Sequence, residues 1–259
     1  MGCLAGRRVA RVGEAEDAGE RRAELESRLA AVRERIAAAC AAAERDPDQV
    51  ELMAVTKTVP AGDVATLLDL GLTLFGENRA QEAGAKVAEV AALRPGAHPR
   101  WHFIGGLQRN KAKAVVAWAD RVESVDSARL ADALDRAAGR ACDEGRRPGP
   151  LPVLLQYSVD GDPERGGVAR DGLLALADHV GGCPALRLEG LMAVAPLDAE
   201  PEAAFADIAD AAAALRSAHP AASALSAGMS GDLEIAIRHA SGVVRVGTAL
   251  VGYRPLASL

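Results

Sequence analysis

Residues 51–77 read ELMAVTKTVPAGDVATLLDLGLTLFGE. A short apolar run, Leu52–Thr56, closes in a turn holding Lys57 and Pro60, and an amphipathic segment, Ala61–Leu70, follows. Gly71 breaks that segment, and a second apolar run opens at Thr73–Phe75. A run too short for a helix, a stretch of helical period and another short run make one βα unit with the next strand begun. Runs that are apolar throughout, rather than alternating, belong to a parallel sheet covered on both faces.

The same unit recurs along the chain. Further apolar runs occupy Trp101–Ile104, Arg121–Ser124, Val153–Tyr157, Leu188–Met192, Ala224–Ser226 and Val243–Val246, which makes eight with the first two. Their starts are about 27 residues apart on average, the length of one strand, one helix and two loops. Helical segments are predicted between them at Ala80–Ala92, Lys111–Ala119, Ser127–Ala141, Asp171–Val180, Glu202–Ala218 and Gly231–Arg238. Asp126 or Ser127, Pro201-Glu202 and Ser230-Gly231-Asp232 are the start signals. Alternating strands and helices imply a parallel sheet, and eight units imply a single-domain α/β fold, the (β/α)8 TIM barrel. An open doubly wound sheet is the alternative, but no G-x-G-x-x-G follows the first strand. Ahead of the barrel, Leu25, Leu29, Val32, Ile36 and Cys40 recur at spacings of three and four, which predicts an extra N-terminal helix from about Glu20, stopped by Asp46-Pro47-Asp48. Residues 1–20 lack a period and read as a loose tail, leaving 21–259 as one barrel domain.

The 259 residues carry a net charge of −6 and are 49% hydrophobic with only 3% aromatic, so an aliphatic core is expected. A mildly acidic chain without a long basic run has no footprint for binding nucleic acid. No apolar run approaches the roughly 20 residues that span a bilayer, and the first 20 residues lack the apolar core of a signal peptide. Cys3, Cys40, Cys142 and Cys183 lie far apart, and we read no metal-ligand spacing and no disulfide framework among them, which fits reduced thiols in a cytoplasm.

Active groups of such barrels sit where strands end. Lys57 leaves the first strand, and a lysine desolvated there is a Schiff-base nucleophile. Polar and glycine residues concentrate on the same rim, in Gly76-Glu77-Asn78, Gly105-Gly106-Leu107-Gln108 and Gly190-Leu191-Met192. The loops after strands seven and eight, where this fold most often seats a phosphate, read Ser226-Ala227-Gly228-Met229-Ser230-Gly231 and Gly247-Thr248-Ala249. Asp232 is a discordant charge there, so its carboxylate is expected to turn away and cap the helix. A lysine and a phosphate seat suit pyridoxal 5′-phosphate, or a Schiff-base aldolase acting on a sugar phosphate. Arg245 lies inside strand eight, where a charge is costly unless paired. Facing a pyridine nitrogen, it would keep that nitrogen unprotonated and the ring a poor electron sink.

Together these stretches, with Ala54-Val55-Thr56-Lys57-Thr58-Val59-Pro60, Trp101-His102-Phe103-Ile104-Gly105-Gly106-Leu107-Gln108-Arg109-Asn110-Lys111 and Val244-Arg245-Val246-Gly247-Thr248-Ala249, resemble the pyridoxal phosphate homeostasis proteins, related to the alanine racemase N-terminal barrel. The resemblance implies a Schiff base between Lys57 and pyridoxal 5′-phosphate, Arg245 facing the ring nitrogen, and Ser230, Gly247 and Thr248 holding the phosphate. Asn78, His102, Met192, Ser226 and Met229 would line the pocket. The chain departs from the family at Ser158, at Glu164-Arg165-Gly166-Gly167, at Ala227 and at Gly242, all places around the cofactor.

The function so implied is a non-enzymatic, monomeric carrier that hands the cofactor to acceptor apo-enzymes and supports vitamin B6 and amino-acid homeostasis. The alternative is a pyridoxal phosphate-dependent amino-acid racemase, which needs a second base opposite Lys57. The only tyrosines are Tyr157 and Tyr253, and Leu259 follows Gly252 too closely for a second domain to supply that base. A class I aldolase needs acid/base carboxylates beside the lysine, and Glu77 is the obvious rim candidate.

Overall fold

The computed structural model describes residues 3–162 and 165–252, with side chains from residue 17 onward; Pro163, Glu164, Tyr253 and Leu259 lie outside that range. Eight strands form a closed parallel barrel in chain order. They are β1 (Glu51–Val55), β2 (Leu74–Glu77), β3 (Arg100–Phe103), β4 (Arg121–Val125), β5 (Leu151–Tyr157), β6 (Leu186–Ala193), β7 (Ala224–Ser226) and β8 (Val243–Val246). The barrel closes where β8 pairs with β1 from Glu51↔Val243 to Ala54↔Val246. Around it run α1 (Cys3–Ala42), α2 (Ala61–Asp69), α3 (Ala80–Leu93), α4 (Ala112–Val116), α5 (Ala128–Asp143), α6 (Arg170–Gly181), α7 (Pro201–Ala218), α8 (Leu233–Arg238) and α9 (Thr248–Val251). The predicted barrel and every predicted helix are present.

Four local expectations differ. The leading helix is longer than predicted: α1 begins at Cys3, so the stretch read as a loose tail is largely helical. Its Arg, Glu and Ala content favours helix without requiring an apolar period. The fourth barrel helix contracts to Ala112–Val116 behind a single tight turn at Arg109–Lys111. At the start of α5 the Ser127 hydroxyl makes no cap and donates instead to Asp126 Oδ1. Among the α-helices whose caps are described, α7 alone is capped by a side chain: the carboxylate of Glu200, just ahead of Pro201, accepts the N–H groups of Glu202 and Ala203.

Two apolar layers separate strands from helices, one built around β3 to β7 with α5, α6 and α7, the other joining α1, α2 and α8 to β1, β2 and β8. Within the barrel, Met53, Leu74 and Val243 pack with Ile104 as an aliphatic plug. β6 carries a register shift beside β5, so that Val153 faces Leu188 and Leu154 faces Gly190. Gly190 follows that shift at φ +156, and a Cβ there would lie 1.9 Å from the carbonyl oxygen of Ala224 in β7. Only glycine lets the two strands close at this point. Gly190→Ala is expected to cost about 3 kcal/mol or more, because backbone has to move on both strands. The urea midpoint is the check, and an unchanged midpoint would contradict this packing.

Candidate functional site

The strand C-termini bring most of the predicted residues to one end of the barrel. Lys57 stands in the turn after β1, exposed, with no hydrogen bond or ion pair among the described residues. The desolvation expected of it from the apolar strand is therefore not supplied by burial. Beside it, Asn78 follows β2, and its side-chain oxygen is buried with no hydrogen-bond partner. Gly105 makes room for this residue: a Cβ at 105 would fall 2.4 Å from the Asn78 carbonyl oxygen and 2.8 Å from its Cβ. The two motifs, Gly76-Glu77-Asn78 and Gly105-Gly106, thus meet as touching backbone.

The loops after β7 and β8 follow neighbouring strands, and the first is tied to β8 by the bond from Arg245 N–H to Gly228 C=O at 2.9 Å. Among the described residues, the backbone N–H groups of Ser230, Gly231, Thr248 and Ala249 find no acceptor in the protein. Such free N–H groups from two adjacent turns form an anion seat. Helix α1 holds this seat from behind, since Arg35 donates to Ser230 C=O at 3.0 Å and to both carboxylate oxygens of Glu234. Asp232 occupies the cap position of α8 but caps nothing; its carboxylate instead takes the Met229 N–H at 2.5 Å and tightens the turn.

The barrel interior holds the least expected feature. His102 and Arg245, both buried, do not stand alone there: His102 Nδ1 lies 2.6 Å from Glu123 Oε1 in β4. Arg245 donates from Nη1 to Ser226 Oγ at 2.9 Å and from Nη2 to Ala193 C=O at 2.7 Å. Met192, also buried, belongs to the same part of β6. The core is thus not aliphatic throughout. With Glu123 ionised, the proton of its bond to His102 sits on Nδ1. Burial by itself pushes the Glu123 carboxyl up, but the His102 hydrogen bond, the charges of His102 and Arg245, and the Ser226 hydroxyl outweigh it and hold the group below its ordinary value. Burial likewise pushes the Arg245 guanidinium down, against the charges of Glu123 and Asp232. The sequence reading missed Glu123. Its signal was a charge in the middle of an apolar run, the same signal that exposed Arg245.

Two other candidates fall outside the site. Glu77 is fully buried, but it faces α3: its Oε1 accepts from Thr56 Oγ1 at 2.7 Å and from Lys86 Nζ at 2.6 Å. The expected rim carboxylate is thus held in the strand–helix layer. The Tyr157 hydroxyl similarly donates to Asp207 of α7 at 2.7 Å, with Arg170 stacked over its ring. Three of the departures are accommodated locally. Ser158 Oγ accepts the Gly161 N–H at 3.1 Å, Arg165 reaches Ala195 C=O at 3.1 Å, and Gly242 bridges β7 and β1 through its backbone. Gln156, Ser158, Arg165 and Val194 line a cavity of about 260 Å³ at this end of β5 and β6.

Residues 27–255 match the alanine racemase N-terminal domain family. A pyridoxal phosphate homeostasis protein of Mycobacterium tuberculosis is 46% identical over 251 residues, covering 92% of this chain and 96% of the relative. The chain belongs to the pyridoxal phosphate homeostasis protein family. The Escherichia coli member is 37% identical over 232 residues, with 87% and 95% of the two chains covered. Among solved structures, PipY of Synechococcus elongatus with PLP bound superposes at a TM-score of 0.75 and 34% identity, over 88% of this chain and all of that one.

Because its folded-state pKa is depressed, Glu123 stabilises the fold above its ordinary value of 4.5, and that contribution is lost as pH falls through 4.5 toward the lower folded value. Glu123→Gln is therefore expected to flatten the acid limb of melting temperature against pH while leaving its shape above pH 7 unchanged. An acid limb as steep as that of the parent would rule out a paired, ionised Glu123.

Proposed function

We propose that this protein binds pyridoxal 5′-phosphate as a Schiff base on Lys57 and serves intracellular vitamin B6 and amino-acid homeostasis without efficient catalysis. The observation that carries this reading is the exposed, unpaired Lys57 amine on the same rim as the free N–H groups of two adjacent loops. The residues present fit the group. Asn78 offers a buried side-chain oxygen without a partner, the 230–231 and 248–249 turns offer donors to a phosphate, and Arg245 offers a positive charge held in place. When bound, the cofactor brings an aldehyde whose imine exchanges between amines, so that one linkage serves both storage and delivery.

The protein's own groups divide the work. Lys57 supplies the amine. Ser230, Gly231, Thr248 and Ala249 would hold the phosphate by backbone N–H groups, with the Ser230 and Thr248 hydroxyls, Gly247 and Met229 in the same two loops. Arg245, fixed by Ser226 and Ala193, would offer a guanidinium to the cofactor's ring nitrogen, a partner that disfavours the electron-sink chemistry of a racemase or transaminase. Glu77, the carboxylate considered for an aldolase, and Tyr157, one of the two tyrosines considered against a racemase, are engaged with α3 and α7. Delivery to acceptor apo-enzymes, action as a monomer and a cytoplasmic place belong to the same proposal. Among the described residues no helix is long and apolar enough to cross a membrane.

Purified protein loaded with pyridoxal phosphate is expected to be yellow, and borohydride reduction is expected to leave the adduct on the peptide containing Lys57. Lys57→Ala should be colourless and adduct-free; a variant that keeps the parent spectrum would remove Lys57 from the site. Racemisation of alanine at ordinary enzyme rates, about 1–10³ per second, would overturn the carrier reading. Arg245→Gln should shift the visible band while the phosphate remains bound, and an unshifted band would assign Arg245 a purely structural role.

A further inference from the structure

On the helical shell, α5 and the end of α6 bring together three donors that sequence reading kept apart. One ligand atom each from Asp132, His179 and Cys183 lies within 4.8 Å of the others. His179 and Cys183 are four positions apart across the last turn of α6 and the turn that follows it, and Asp132 reaches them from α5. The cysteine analysis that found no metal-ligand spacing overlooked this pair. We propose that Asp132, His179 and Cys183 bind one divalent transition-metal ion of the zinc type, clamping the end of α6 to α5.

The donor set is the argument. A thiolate, an imidazole and a carboxylate together suit zinc and its neighbours, whereas magnesium and calcium prefer oxygen alone. Bonds of about 2.0–2.3 Å to such an ion place tetrahedral ligands within the spread seen here after small side-chain rotations. Those rotations are available to Asp132 and His179, whose side chains are 42% and 40% exposed. Cys183 is the fixed member: it is buried, its N–H bonds to Val180 C=O at 3.0 Å, and its C=O accepts from Leu186 N–H at 3.1 Å. The turn beyond it is tied to α5, because the Asp135 carboxylate takes the Ala185 N–H at 2.8 Å. His179 Nε2 and Asp132 Oδ1 already meet at 2.7 Å.

Binding is a balanced exchange. The ion takes the Nε2 lone pair, with the imidazole proton on Nδ1, and gains an Asp132 oxygen in place of the His179–Asp132 hydrogen bond. It also replaces the Cys183 thiol proton, which gives up its 3.4 Å bond to the His179 C=O and passes to solvent, and water completes the fourth position. Cys183 lies just before β6, at the opposite end of the barrel from Lys57, so the site is independent of the cofactor reading.

Metal-free full-length protein, its purification tag removed, is titrated with Co²⁺ and separately dialysed against Zn²⁺. The expected result is one equivalent bound, with a near-ultraviolet thiolate-to-cobalt band, intense visible bands of a tetrahedral ion, and a higher melting temperature in zinc. Cys183→Ser should abolish the thiolate band, and His179→Ala and Asp132→Asn should each weaken binding at least tenfold with far-ultraviolet circular dichroism unchanged. Lys57→Ala and Cys3→Ser should bind as the parent does. Absence of saturable one-to-one binding in the parent would overturn the proposal, as would binding that survives both Cys183→Ser and His179→Ala. Asp132→Asn at an exposed position keeps the test decisive if a change at the buried cysteine prevents folding.

Discussion

Burying a guanidinium inside a closed barrel costs several kcal/mol unless its charge is answered, and the same holds for a carboxylate. Arg245 and Glu123 answer each other electrostatically across the interior, with Ser226 and His102 as the hydrogen-bonding members of the set. Much at this end of the barrel follows from that. Arg245 cannot swing away from Ser226 and Ala193 without stranding Glu123, and His102 cannot change its Nδ1 bond without stranding it from the other side. The plug of Met53, Leu74 and Val243 is free of such constraints and sets packing alone. The site is thereby stiff where charge matters and ordinary where it does not.

Stiffness inside the barrel is matched by bracing from outside. Helix α1 is more than a preface to the barrel, because two of its arginines, and Arg45 in the turn that follows it, reach backbone carbonyls around the loops that form the anion seat. Arg35 holds the Ser230 carbonyl, Arg45 holds those of Ile237 and Ser241, and Arg21 holds that of Val251. Each bond takes a carbonyl near the end of a short helix or turn, where the chain lacks internal partners. A six-residue helix such as α8 has little cooperative stability of its own. Pinned by Arg35 of α1 at its start and by Arg45 of the turn after α1 at its end, it presents the 228–232 turn in one conformation.

Strand count, order and most helix bounds were legible because each unit repeats a simple pattern of apolar runs and helical period. The rim motifs were legible too, since glycines and polar residues gather at strand ends. Hydrogen-bond partners were not legible. Ser127 looks like a cap and bonds to Asp126, Asp232 looks like a cap and bonds to Met229, and Glu200, which does cap, had drawn no notice. Capping depends on local backbone angles that composition does not encode. Glu123 was within reach: the rule that flagged Arg245, a charge inside an apolar strand, applied equally to Arg121-Val122-Glu123-Ser124. His179 and Cys183 were readable as a spaced pair, but Asp132 joins them only through the packing of α5 on α6.

The parity of a strand separates residues that look equivalent in sequence. Successive side chains point to opposite faces, so Trp101 packs with the outer layer while His102 turns inward to Glu123, and Val244 and Val246 pack against the outer helices on either side of Arg245. The same alternation places Glu77 toward Lys86 of α3 one residue before Asn78 reaches the rim, and Tyr157 toward Asp207 of α7 one residue after Gln156 reaches the cavity. An acid or a tyrosine at a strand end in the sequence is therefore no measure of an acid or base beside the lysine in space. Moving either group to the rim would require a register slip of one residue, which would also turn Phe75 or Leu155 out of its apolar layer. That packing cost, rather than any shortage of functional groups, keeps Glu77 and Tyr157 turned toward the helices and away from the rim.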